Sequence, residues 1–373
     1  MAARQGSDSG RETIVVTGSS GLIGAAVCTR LARRFTVVAF DRPGPPYPPA
    51  VAECLGVDMT SDASVHAGFA QVRARHGRHL AAVVHLAAFY DFDGQPSPLY
   101  DALTIQGTRR VLEELRSFQC EQLLFSSTMF IHAPCQPGER INEDWPLEPK
   151  WPYPQSKVAT EALIHERRGP VPAAILRIAG VYDDLCHSIP IAHQIQRIWE
   201  RQLISHVFPG DTSHGQSFVH LEDVVDAIGR TIARRKQLPA EVPILIGEPE
   251  TLSYQELQDL IAQELFGERW VTERIPKELA KVGAWLEEEL PLGEEPFIKP
   301  WMIDLADDHY SLDITRARQF LGWEPRRALR SALPIMLAGL KRQPDHWYTE
   351  NHLTPPPHSP QAQPQAEAGA QSS

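Results

Sequence analysis

No apolar run approaches the ~18 residues that a membrane-spanning helix requires. The first residues, Met1–Arg11, are polar and rich in Gly and Ser, without the apolar core of an export signal. Cysteine is scarce: Cys28, Cys54, Cys120, Cys135 and Cys186 stand singly. That odd set has neither the spacing of a zinc site nor the parity of a disulfide framework. Positive charge is short too, with 36 Lys and Arg against 47 Asp and Glu and a net charge of −11. Phosphate backbones need clustered cations, so nucleic acid is not an expected partner. The absences predict a cytoplasmic protein with no metal site and no membrane partner.

What is present suits a folded chain: 42% hydrophobic and 22% charged residues over 373 positions. Short β-rich runs at Thr13–Thr17, Thr36–Phe40, Ala82–Leu86, Gln122–Phe125 and Ala173–Leu176 alternate with helical patterns. The helices expected between them are Leu22–Arg34, Ser64–Arg75, Leu99–Phe118 and Gln155–Arg168. This alternation predicts an α/β fold, a doubly wound parallel sheet of Rossmann type. The sheet domain is expected over 12–180, with 216–247 returning to it. A smaller, mostly helical substrate lobe is expected from 181–215 and 248–345. The ends, 1–11 and 346–373, read as unstructured. From Thr354 onward no aromatic or large apolar residue remains to be buried.

Between the first strand and first helix, Gly18-Ser19-Ser20-Gly21-Leu22-Ile23-Gly24 forms a GxxGxxG loop. Glycine there allows a tight turn, close approach of backbone to a pyrophosphate, and close helix–strand packing. The helix N-terminus adds unpaired N–H groups and partial positive charge. The loop, its Leu22 and Ile23 included, is therefore a candidate dinucleotide cradle. Asp41 ends the second strand about twenty residues on, where a carboxylate can accept from ribose hydroxyls. Its charge repels a 2′-phosphate and favours NAD over NADP, although Arg42 follows at once. Asp58, with Met59 beside it, is placed to reach an adenine edge.

Tyr153 and Lys157 stand four residues apart at a helix start, on one face. A free phenol has a pKa of ~10, and a neighbouring ammonium favours its ionised form. Ser126, Ser127 and Thr128 offer hydroxyls at a strand end that could hold a substrate oxygen beside the phenol.

Together these stations resemble the extended short-chain dehydrogenases/reductases, the NAD-dependent epimerase/dehydratase family. The matching positions include Thr17–Gly24, Asp41, Asp58, His85-Leu86-Ala87-Ala88, Gly107-Thr108, Ser126-Ser127, Tyr153 with Lys157, Arg177, Phe218–His220 and Leu321–Pro325. The resemblance implies Tyr153 as general acid/base and Lys157 as the group that lowers its pKa and holds the nicotinamide ribose. It implies Ser127 as the substrate-orienting hydroxyl, with Thr128 in reserve, and Leu86, Ala87 and Ala88 along the cofactor. A homodimer through the two long helices, about Leu99–Phe118 and Gln155–Arg168, is also implied.

Departures bear on the substrate. Thr104 stands where many relatives carry an Asn that supports the catalytic loop. Gly180 stands where nucleotide-sugar enzymes often place an Asn, and Gln216-Ser217 where they often carry Arg-Asp. The expected activity is hydride transfer at a hydroxyl or carbonyl carbon, with a nucleotide-sugar, a hydroxysteroid or a simple ketone as candidate substrates. A non-catalytic NAD-sensing protein is the rival of another class. Trp270, Trp285, Trp301, Trp323 and Trp347 are read as packing residues, with Trp301 also a candidate for the substrate side. Glu287–Glu289 and Glu294-Glu295 read as a solvated face.

Overall fold

A computed structural model describes residues 10–91, 94–281 and 299–356. The expected flexible start up to residue 9, Trp285 and the acidic stretch at 287–295 lie outside the described residues.

Seven strands form the central sheet, and every pairing in it is parallel. They are β1 (Thr13–Thr17), β2 (Thr36–Asp41), β3 (Glu53–Gly56), β4 (Ala82–His85), β5 (Leu123–Thr128), β6 (Ala173–Ile178) and, after two short strands described below, β9 (Glu241–Ile246). Their spatial order is β3-β2-β1-β4-β5-β6-β9. The order reverses at β1, so a crevice opens beyond the carboxyl ends of β1 and β4. All five side chains of β1 and all six of β6 are buried, as apolar runs in a sheet covered on both faces require.

One face packs on α1 (Leu22–Leu31) and α6 (Leu221–Ala233) around Val16, Val27, Val84, Ile228 and Ile244. The other packs on α2 (Asp62–His76), α3 (Gln106–Leu115) and α4 (Pro152–Arg167) around Phe40, Phe69, Leu115, Phe125 and Ile164. A π-helical turn, Tyr100–Ile105, leads into α3. Such turns gather at functional sites, and this one flanks the cleft.

The lobe joins through β7 (Gly180–Tyr182) and β8 (Phe218–His220), which pair in parallel. Its own core unites α5 (Ile189–Trp199) and α7 (Tyr254–Phe266) with the C-terminal helices; of these α8 (Pro300–Asp304) buries Ile303, α9 (Thr315–Leu321) packs Ala317 and Leu321 into the sheet core, and α10 (Leu329–Arg342) and α11 (Pro344–Glu350) enter the lobe core. Ser253 opens α7 with a reciprocal capping box to Glu256. The tail expected to be disordered from 346 instead begins as helix: Trp347 and Tyr348 in α11 are 2% and 0% exposed. These two aromatics close the lobe core against Leu337 and Leu340. Trp270 and Trp323 are likewise sealed, at 2% and 0%.

Candidate active site

The glycine loop is built by backbone crowding. Gly18 has φ +68°, and a Cβ there would lie 2.7 Å from the Ala87 nitrogen. A Cβ on Gly24 would run into the Gly18 carbonyl, so α1 could not start so close to β1 with any larger residue. Gly21 caps α1 without a side-chain partner, leaving its first N–H groups toward the crevice. Ser20 donates its backbone N–H to Asp41 Oδ2 at 2.7 Å, while its buried hydroxyl has no partner. Leu22 is partly exposed at the head of α1, and Ile23 packs against the core.

Asp41 stands at the end of β2, its second oxygen accepting from the Arg42 N–H at 2.8 Å. Asp58 accepts from the Thr60 N–H and hydroxyl, which hold its carboxyl below the usual range, with Arg42 adding a smaller pull. Arg42, Asp58, Ala88 and Tyr90 line one cavity of about 430 Å³ beside Leu99 and Leu103. Beside Asp58, the Met59 side chain is buried against Gly107 and the Met59 carbonyl accepts from Arg110.

The loop after β4 hangs on a relay of hydroxyls. The Ala87 N–H donates to Thr17 Oγ1 at 3.2 Å, and that hydroxyl lies 2.7 Å from His85 Nδ1. His85 Nε2 lies 2.9 Å from Thr108 Oγ1, which donates to the Thr104 carbonyl at 2.7 Å. A Thr108 hydroxyl already donating must accept from the ring, which assigns the proton to Nε2. Burial pulls His85 down to about 3, so it stays neutral. Thr104 replaces the expected amide with a hydroxyl that accepts from the Phe89 N–H at 2.9 Å. Leu86 binds back to the Thr17 carbonyl.

Tyr153 sits in the first turn of α4, which Pro152 opens. Of the neighbouring hydroxyls, that of Thr128 eases the ionisation of its phenol. Ser127 shares the α4-facing side of β5 with Phe125 and is buried beneath the helix, where its hydroxyl donates to Glu161 at 2.5 Å. Thr128 is the last residue of β5, where the chain turns into the short Met129–Ile131 helix, and so reaches the cleft. Ser127 is thus engaged by Glu161, whereas Thr128 ends the strand.

Lys157 is buried, and its ammonium donates to the Ser126 carbonyl at 2.7 Å, 5.7 Å from the Tyr153 ring centre. Burial pulls Lys157 down to about 7, with Glu161 opposing. Burial also pushes the Tyr153 phenol up, Tyr90 adding and Thr128 offsetting. Glu161, one further turn along α4, is a partner the sequence reading did not single out. Its carboxylate takes both Arg177 Nη2 and Nε, at 2.7 and 3.2 Å, and its signal was the continued four-residue spacing from Tyr153 and Lys157.

The sheet order, glycine loop and Tyr–Lys pair define an extended short-chain dehydrogenase/reductase. The NAD dependent epimerase/dehydratase family profile matches residues 14–247, and the chain belongs to that family. It is 26% identical over 280 residues to a UDP-glucuronate 4-epimerase of Thermodesulfobacterium geofontis, covering 73% of each chain. It is 20% identical over 297 residues to a decarboxylating sterol-4-alpha-carboxylate 3-dehydrogenase of Saccharomyces cerevisiae, covering 75% of this chain and 81% of the yeast protein. In fold it is similar to the UDP-glucuronic acid 4-epimerase of Bacillus cereus solved with UDP-glucuronic acid and NAD. There the TM-score is 0.67 at 18% identity, over 88% of this chain and 99% of the other. Among the described residues no helix is long and apolar enough to cross a membrane.

Proposed function

We propose that this protein moves hydride between NAD and a ring carbon bearing a hydroxyl or ketone, with Tyr153 as general acid/base. The observation that carries the reading is the placement of Tyr153 in the first turn of α4, with Lys157 one helical turn behind it and Thr128 at the end of β5 easing its ionisation. The residues present fit the dinucleotide. Gly18 and Gly24 leave no room for a Cβ, the Ser20 hydroxyl is buried without a partner, and Asp41 waits at the end of β2. Ser20 and the first N–H groups of α1 would hold the pyrophosphate. Asp41 would accept from the ribose and repel a 2′-phosphate, while Arg42 lines the same cavity as Asp58.

When bound, the nicotinamide supplies a hydride acceptor. Tyr153 takes the hydroxyl proton in the oxidative direction and returns it in the reductive one. Thr128 fixes the substrate oxygen beside the phenol, and Lys157, when protonated, stabilises the phenolate. A nucleotide-sugar and a hydroxysteroid both present such a carbon.

Thermal shift tests the cofactor, and turnover of UDP-glucose, UDP-glucuronate and saturated ring alcohols tests the chemistry. NAD should raise the Tm of the native protein and of Tyr153→Phe alike, while only the native protein turns over. Turnover retained in Tyr153→Phe would sink the assignment. The same reading places the protein in the cytoplasm, supported by five unpaired cysteines, as a homodimer through α3 and α4 that light scattering can check.

A further inference from the structure

Tyr153, Lys157 and Glu161 follow one another at four-residue spacing along α4, and so share one side of the helix. The second and third both bond to β5: Lys157 donates to the Ser126 carbonyl, and Glu161 accepts from the Ser127 hydroxyl. The Glu161 carboxylate also takes Nη2 and Nε of Arg177, on β6. Arg177 Nη1 donates to the Glu143 carbonyl at 2.7 Å and lies 3.2 Å from His132 Nε2. Burial and the nearby guanidinium pull His132 down to about 4, so it is neutral at pH 7. The Glu161 and Arg177 side chains are withdrawn from water, at 11% and 8% exposed.

Lys157 is buried as well, and burial disfavours its charge. Its ammonium is held by the Ser126 carbonyl and lies 4.8 Å from the Phe125 ring centre, with no direct ion pair among the described residues. Two other titratable groups face it. His85, on β4, is kept neutral by burial, with Lys157 adding to the pull. The Tyr153 phenol, on α4, is kept protonated by burial. Neither brings a charge. Glu161 is the one acid that acts on the ammonium, and it opposes the burial that would strip the proton. Two cations on different elements thus draw on one carboxylate, Arg177 through hydrogen bonds and Lys157 through its field.

Resting on the role proposed for Lys157, we propose that Glu161 is a positioning residue for the reaction: its charge keeps Lys157 an ammonium, and its bond to Ser127 pins the strand end that presents the Ser126 carbonyl and the Thr128 hydroxyl. An arginine as buried as Arg177 needs a counter-charge, but that need does not fix where the acid stands. Glu161 stands one turn beyond Lys157, on the strand-facing side of the same helix, where a single carboxylate serves both cations. With Glu161 neutral, the buried amine loses its proton at neutral pH and no longer stabilises a phenolate on Tyr153.

The test reads Lys157 itself and needs no substrate. The whole protein is labelled with carbon-13 at lysine Cε, whose NMR shift follows the charge of the amine. Lys157→Met assigns its signal among those of Lys150, Lys236, Lys277, Lys281, Lys299 and Lys341. In the native protein Lys157 should titrate at about 7. Glu161→Gln, which keeps the size and still accepts from Ser127, should lower that midpoint by about one pH unit, the lower end for losing one opposite charge. Ser127→Ala, which removes the bond and leaves the charge, should move it little. Glu161→Gln strands Arg177 without a counter-charge. If that protein does not fold, Glu161→Gln combined with Arg177→Gln removes both charges and should lower the midpoint in the same sense, by less. A midpoint unmoved or raised in the folded variant, or an equal shift in Ser127→Ala, would show a residue that only packs and would overturn the proposal. Failure of the hydride-transfer reading looks different: Tyr153→Phe would keep turnover while the Lys157 titration still answered to Glu161.

Discussion

Tyr153 and Tyr182 are both tyrosines that burial pushes toward the protonated form, each beside a group whose own pKa is displaced to about 7. Around Tyr182 every bond closes on protein. Its hydroxyl donates to Glu248 at 2.7 Å, the other Glu248 oxygen accepts from the Leu329 N–H at 2.8 Å, and Tyr182 is 0% exposed. Around Tyr153 the circuit stays open: the Thr128 hydroxyl at a strand end eases its ionisation, and Lys157 is held from behind by the Ser126 carbonyl. A displaced pKa alone does not mark a site. An unfinished hydrogen-bond shell at the mouth of the crevice does.

Removing each phenol breaks that comparison most sharply. Tyr153→Phe should lower kcat by about a thousandfold, within the range for a general acid/base, and leave Tm nearly unchanged. Tyr182→Phe should leave kcat alone. It should cost about 1–3 kcal/mol of stability, because Glu248 stays buried without its donor. Urea unfolding and steady-state turnover on the same two preparations decide the matter. Comparable kcat losses would erase the distinction.

The adjoining hydroxyls extend the contrast at smaller amplitude. Thr128→Val should reduce kcat about a hundredfold, the usual cost of losing one donor at the reacting oxygen. Ser127→Ala should change kcat only a few-fold, and its effect should appear as about 1 kcal/mol of stability lost beneath α4. The reverse ranking would restore Ser127 to the role first expected of it.

How much of this was legible follows from how each part is specified. The glycine loop, Asp41 and the Tyr153–Lys157 pair depend on local spacing within one turn or one strand–helix unit, and spacing can be read. Choosing among Ser126, Ser127 and Thr128 depends on where β5 ends and where α4 crosses it, which neighbouring letters do not carry. Thr104 looked like a loss of support. Its hydroxyl nevertheless accepts from Phe89, because the π-helical turn brings its side chain under the loop. The contacts of Trp151 with Phe130 and Trp301 join segments far apart in the chain, and only the tertiary fold brings them together. The tail boundary at 346 falls too early because the composition changes only at Thr354, and Trp347, expected to pack, does so together with Tyr348 in the lobe core.

The smallest effect separates the two clusters by sign. Burial raises Glu248 from 4.5 to about 7, so between those values the folded chain keeps a proton that the unfolded chain releases. Its contribution to stability is full below pH 4.5 and declines as pH rises toward 7. Burial lowers Lys157 from 10.5 to about 7, so there the unfolded chain holds the extra proton and stability rises from pH 7 to 10.5. His85, His132 and His193, pulled by burial to about 3, 4 and 4, add an upward trend below 6.5. The readout is therefore the variant minus the native protein. Glu248→Gln, which mimics the protonated acid, should remove a declining component of about 1 kcal/mol per pH unit at its steepest between pH 4.5 and 7. Lys157→Met should remove a rising component of similar slope between pH 7 and 10.5. Urea midpoints across pH measure both, and difference curves that share one sign or one window would show that the two clusters do not titrate as opposites.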